Sequence, residues 1–80
     1  MMQQYFVFVR AQPDHGHDAA VAIARKRIAH IKEVISISGK WDVLLRIEID
    51  NRLNVAKEVI NVVSGMEEVA RTKTIVGYAT

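Results

Sequence analysis

Apolar and polar positions along this chain change their period several times, and each change marks an element. From about Gln4 to Ala11 the side chains alternate, with Tyr5, Val7 and Val9 on one side and Phe6, Phe8 and Arg10 on the other, as in a strand. Both sides of that strand are apolar. In Gln12-Pro13-Asp14-His15-Gly16-His17, Pro13 stops the strand and Asp14 is placed to cap the donors of a helix. The helix is expected to run to about His30. Ala20, Val21, Ala24, Ile28 and Ile31 share one arc of its wheel, and Asp18, Arg25, Lys26 and His30 lie outside it.

Two strand-like runs follow, Val34 to Ser38 and Asp42 to Ile49, joined by Gly39-Lys40-Trp41. Gly39 supplies the permissive backbone that so sharp a reversal needs, and the whole reads as a hairpin. In its second arm Val43, Leu45, Ile47 and Ile49 form a wholly apolar face, while Leu44, Arg46 and Glu48 form a mixed one. Asp50-Asn51 then offers capping side chains to a second helix, where Leu53, Ala56, Val59, Ile60 and Val63 share a side. Gly65 is expected as a left-handed C-terminal cap. The last strand, Val69 to about Tyr78, is rich in threonine and β-branched residues.

The order is strand, helix, strand, strand, helix, strand. Two βαβ halves of this kind predict an α+β, ferredoxin-like βαββαβ sandwich, a four-stranded antiparallel sheet with two helices on one face. The other face, carrying Phe6 and Phe8, would stay wet in a monomer. It predicts dimerisation through the sheet, the dimeric α+β barrel arrangement.

Eighty residues form one domain spanning 1–80, and half of them are apolar and a quarter charged. The net charge is only +2, and Lys and Arg are interspersed with Asp and Glu, so no nucleic-acid patch is indicated. The absence of cysteine excludes a disulfide framework, a thiolate nucleophile and a cysteine zinc site, and suits a reducing cytoplasm. No apolar run approaches the length of a membrane span, and the first residues lack the marks of a signal peptide.

The hairpin tip is the first place to look for a site, since it holds the chain's single tryptophan, Trp41, beside Asp42. Each residue also has a plainer role. Gly39 is a turn glycine, Lys40 a solvated loop charge, Trp41 a candidate for a buried subunit contact, and Asp42 a loop cap or a partner for Arg46 or Arg71. His15 and His17, flanked by Asp14 and Asp18, are metal-ligand types, but Gly16 between them fits exposed, capping histidines better, and no metal is expected. His30 suits a helix C-terminus. There is no nucleophile–base pair, phosphate loop or usefully spaced carboxylate pair, so neither catalysis nor a cofactor is expected.

Ile37-Ser38-Gly39-Lys40-Trp41-Asp42-Val43-Leu44-Leu45-Arg46 closely resembles the small-Gly-x-aromatic-Asp-x-Leu-Leu-Arg signature of the effector-binding (RAM) domain of Lrp/AsnC transcriptional regulators. Val9-Arg10 followed by Pro13 and a helix matches that domain's opening, and Val69-Ala70-Arg71-Thr72-Lys73-Thr74-Ile75-Val76 is similar to its closing strand. The resemblance covers about Tyr5 to Val76. Only a few residues precede the first strand where family regulators carry a DNA-reading helix-turn-helix, so the expectation is a stand-alone effector domain without direct DNA binding.

The resemblance further implies a homodimer assembling into rings, octameric or decameric, with an amino acid or related metabolite bound between dimers. Its ligand-binding residues here would be Gly39, Lys40, Trp41, Asp42, Thr74, Ile75 and Val76. Asp42 would accept the ligand's ammonium, a loop N–H or Lys40 its carboxylate, and Trp41 and Ile75 its side chain. At Lys40 many family members carry an acidic residue. The expected role is to modulate transcription through a partner such as a full-length Lrp/AsnC regulator. The alternatives are a small monooxygenase- or isomerase-like enzyme of the dimeric α+β barrel type, and a ligand-free oligomerisation module.

Overall fold

The computed structural model describes residues 2–50 and 53–77. Its elements are β1 (Gln3–Ala11), α1 (Gly16–Lys26), β2 (Ile31–Ser36), β3 (Val43–Ile49), α2 (Leu53–Ser64) and β4 (Val69–Gly77). The strands form one antiparallel sheet in the order β2-β3-β1-β4. Each helix therefore links two parallel strands across the antiparallel strand between them. This is the ferredoxin-like βαββαβ sandwich that the alternation predicted.

Alternation decides the two faces. Tyr5, Val7, Val9 and Ala11 of β1 and Val43, Leu45, Ile47 and Ile49 of β3 are buried beneath the helices. Ala19, Ala20 and Ile23 of α1 and Ala56, Val59 and Val63 of α2 close over them. Burying these apolar surfaces, aliphatic apart from the Tyr5 ring, is the main favourable contribution to folding. Among the described residues no polar or charged side chain is buried. The opposite face carries Phe6, Phe8, Leu44, Arg46 and Glu48, all half-buried, with Ile35 and Ile75 still 40% and 45% exposed.

The central strand sets both ends of the sheet. Gln4 lies opposite Gly77 at one end, and Ala11 lies opposite Val69 at the other. Phe6 packs over Gly77, where a Cβ would stand 2.7 Å from Phe6 Cε2, so only glycine leaves room for the ring. A β-bulge falls near the Ala11 end, because Arg10 opposes Arg71 while Ala11 opposes Val69, leaving Ala70 as the extra residue.

Several local expectations are corrected. Helix α1 ends at Lys26, not His30, because Arg27 turns left-handed (φ 49°, ψ 51°) and its N–H bonds Ala24 O at 3.3 Å. His30 is left-handed too, and its carbonyl accepts the Glu48 N–H at 3.0 Å, so it joins the sheet and no longer meets the helix dipole. Ile31 belongs to β2, which begins there and ends at Ser36. The buried arc of α1 is Ala19, Ala20 and Ile23, and Ala24 is exposed; Ile28 and Ile31 lie beyond the helix and had rotated the predicted arc. Asp14 adopts φ 66° in the preceding turn, and the N-cap position falls to His15, which makes no side-chain capping bond. Gly65 does not have a positive φ; its N–H makes a last helical bond to Asn61 O at 3.0 Å. Asn51 and Tyr78 lie outside the described residues.

Candidate functional site

The connection between β2 and β3 is bound to the end of β1 through main-chain and side-chain bonds. Ile37 N–H donates to Asp42 O at 2.9 Å and closes the loop, and Asp42 N–H donates to Val9 O at 2.9 Å. The Asp42 carboxylate then accepts the Ala11 N–H through Oδ2 at 2.8 Å. Arg10 Nη1 donates to Lys40 O at 3.0 Å, and the Trp41 ring lies 6.1 Å from Phe8 at 43°. Gly39 takes φ 117° in open space, the left-handed turn its glycine predicts. Asp42 and Trp41 are half-buried, and Gly39 and Lys40 are exposed.

The other predicted residues stand apart from this loop within one chain. Val9 lies opposite Val43 on one side and Thr72 on the other, so the loop end of the sheet is level with the start of β4. Thr74, Ile75 and Val76 oppose Val7, Phe6 and Tyr5, roughly 7 to 13 Å further along the strand. The structure thus gathers Gly39, Lys40, Trp41 and Asp42 but leaves Thr74 to Val76 at a distance.

A cleft of about 490 Å³ opens where the loop, the β1–α1 turn and the start of β4 converge. Of the seven predicted residues Asp42 alone lines it, together with Arg10, Asp14, Gly16, Ala70 and Arg71. Gly16 lies beside the carboxylate, where a Cβ would make an ordinary contact with Asp42 Oδ1 at 3.4 Å. Arg10, Arg71 and Gly16 escaped the sequence reading as ligand residues. Arg10 and Arg71 stand inside the quoted opening and closing motifs, the one signal that marked them.

Arg46 is held by Glu33 at 2.6 Å and Glu48 at 2.5 Å and does not pair with Asp42. Hydrogen bonding to Glu33, and then to Glu48, raises its already high pKa. A second groove, about 830 Å³, runs between α1 and the turn before β4, lined by His15, His17, Asp18, Arg25, Glu67 and Glu68. His15 Nδ1 approaches Asp18 Oδ2 at 3.5 Å there. Among the described residues no three His, Asp or Glu side chains are grouped to hold a metal ion, and no helix is long and apolar enough to cross a membrane.

The chain is thus a small α+β domain with an open apolar sheet face, an apolar core and a polar cleft at the loop end. No protein-family model matches the chain. It is 34% identical over 76 residues to an uncharacterized HTH-type transcriptional regulator of Pyrococcus furiosus, covering 94% of the chain and 51% of the relative. A second such regulator, from Pyrococcus horikoshii, is 32% identical over 78 residues, with 94% and 51% covered. The chain therefore spans about half the length of the curated relatives it matches.

Among solved structures, Escherichia coli AsnC superposes with a TM-score of 0.80 at 14% identity over 98% of this chain and 52% of that one. A Neisseria meningitidis transcriptional regulator in complex with L-methionine gives 0.76 at 14% identity, over 96% and 50%. A Thermus thermophilus protein gives 0.79 at 22% identity, over 100% and 96%. At these identities the likeness is one of fold. Together with the curated relatives, it supports the resemblance to Lrp/AsnC regulators that the sequence motifs carry.

Proposed function

We propose that this chain is a cytoplasmic, homo-oligomeric, non-catalytic module that binds an amino acid or a related metabolite and modulates transcription through assembly with a partner, such as a full-length Lrp/AsnC regulator. The uncovered sheet face supports it most directly. Phe6, Phe8, Leu44, Ile35 and Ile75 lie together there with no layer of the described residues above them. A second copy stacked on that face would cover it as two sheets pack in a sandwich.

Further assembly into octameric or decameric rings would bring Thr74, Ile75 and Val76 of a neighbouring protomer to the Gly39–Asp42 loop, which they do not reach within their own chain. The methionine carried by the Neisseria relative supports an amino acid as effector. Effector binding would then shift the balance among assembly states. A binding module suits the interior better than an enzyme does, because the buried side chains among the described residues are aliphatic apart from Tyr5 and include no His, Asp, Glu or Lys.

Native mass spectrometry, alone and with an equimolar mixture of the twenty proteinogenic amino acids, tests this function. An even-numbered oligomer that gains a discrete ligand mass is expected. An oligomer with no adduct at millimolar ligand would leave only an assembly module, and a monomer would end the sheet-packing account.

A further inference from the structure

Over the whole chain acids and bases nearly cancel, to a net charge of +2, but the fold does not distribute them evenly. Arg25, Lys26, Arg27, His30 and Lys32 fall within eight consecutive positions that hold no acid. All five are exposed. They span the end of α1, the following turn and the start of β2, and none makes a side-chain hydrogen bond or ion pair among the described residues. Of the acids at this end of the sheet, Glu33 and Glu48 are both taken by Arg46, and Asp50 is engaged as well. The turn keeps its positive charge.

The backbone presents these cations under strain. Arg27 and His30 both hold the left-handed conformation, at φ 49° and 74°, which glycine adopts freely and a residue with a side chain does not. The turn is pinned at both ends, by the Arg27 N–H on Ala24 O and the Glu48 N–H on His30 O. Lys32 is the extra residue of a β-bulge, since Ile31 opposes Ile47 while Glu33 opposes Arg46, and a bulge re-aims the side chain it carries. Ile28 and Ile31 pack inward against the core, so Ala29 is the one apolar residue of the stretch left exposed.

These features select a partner. A lipid surface or a protein interface needs apolar or aromatic anchors beside the charge, and single-stranded nucleic acid needs rings to stack on. The turn offers neither. Lys26, Arg27, His30 and Lys32 line neither of the two clefts described above, so a small anion would not be enclosed. Exposed cations without a pocket suit the phosphate backbone of a duplex, which is met from outside.

We infer that the α1–β2 turn is a contact for the phosphate backbone of double-stranded DNA, made by Lys26, Arg27 and Lys32 with Arg25 and His30 beside them, and indifferent to base sequence. The turn carries the C-terminal end of α1, with no helix face free to enter a groove, so it reads no bases. It lies at the other end of β2 from the Gly39–Asp42 loop, roughly 20 Å away by the rise of the strand, and on the helix side of the sheet. A second copy stacked on the open face leaves it uncovered. DNA held by a partner regulator gains there a second hold that does not depend on its sequence.

The test is fluorescence anisotropy of the full chain with a labelled duplex of mixed sequence. Over about 20 to 200 mM potassium chloride, the logarithm of the association constant should fall against that of the salt with a slope of about −2.7 for each turn engaged, less steep by about 0.9 for each cation removed. Arg27→Gln and Lys32→Gln should each show that reduction, while Lys57→Gln, the same loss of charge on α2, should not. Arg27→Gly suits the left-handed backbone and should weaken binding as Arg27→Gln does, with no loss of stability in urea. A scrambled duplex should bind equally well and the single strand more weakly. Absence of binding by the wild-type chain at low salt, a slope that survives the combined Lys26→Gln, Arg27→Gln and Lys32→Gln substitutions, or equal capture by phosphatidylserine vesicles overturns the assignment. The oligomer and its amino-acid adduct in native mass spectrometry should be the same in every variant, so this contact and the sensing function fail separately.

Discussion

The Asp42 carboxylate accepts the Ala11 N–H at 2.8 Å, so the residue that closes the β2–β3 connection is fastened to the residue that ends β1. The side chain implied as a ligand contact is therefore also a structural one. Asp42→Ala leaves a half-buried N–H without its acceptor and should cost roughly 1 to 3 kcal/mol in urea unfolding. Asp42→Asn keeps a carbonyl acceptor and should cost less. Equal stability of the two variants would show that this bond contributes nothing specific.

Phe6 and Gly77 make a steric pair. A methyl group at Gly77 would stand 2.7 Å from Phe6 Cε2, so Gly77→Ala must displace the ring, at a cost of roughly 1 to 3 kcal/mol. In a Phe6→Leu background the same substitution should cost markedly less, and a double-mutant cycle reads the difference. Additive losses would mean that the ring was not the obstacle.

Gly39→Ala isolates backbone strain, since a Cβ there meets nothing within 4 Å but the residue sits at φ 117°. A loss of roughly 1 to 3 kcal/mol is expected from conformation alone. Thermal unfolding indistinguishable from wild type would show that the loop relaxes freely.

Ile75 is 45% exposed on the open sheet face, so Ile75→Glu should leave the protomer's far-UV circular dichroism unchanged. Sedimentation velocity should nonetheless show the oligomer dissociating, because a charge would be buried between the stacked sheets. An unchanged sedimentation coefficient would place the subunit contact elsewhere.

The strands were legible because alternation is a local signal: Val43, Leu45, Ile47 and Ile49 declare their face without reference to anything distant. The end of α1 was not, because Ile28 and Ile31 prolong the helical spacing through a turn that left-handed Arg27 and His30 create. Asp42 was legible from the short motif around the hairpin. Its neighbours Arg10 and Arg71 were not recognised as a pair, since they meet through the register of strands sixty-one positions apart and a bulge shifts that register beside them. No window of local sequence encodes such a meeting.

Gln4 and Gly77 oppose each other in the ladder, at the end of β1 and β4 away from Asp42. Any segment joined ahead of β1 or behind β4 leaves from this one corner, about 23 Å from the Ala11 end by the rise of the strands. The two strands are paired along their shared length. A segment before β1 and one after β4 would therefore start side by side, at a spacing fixed by the ladder.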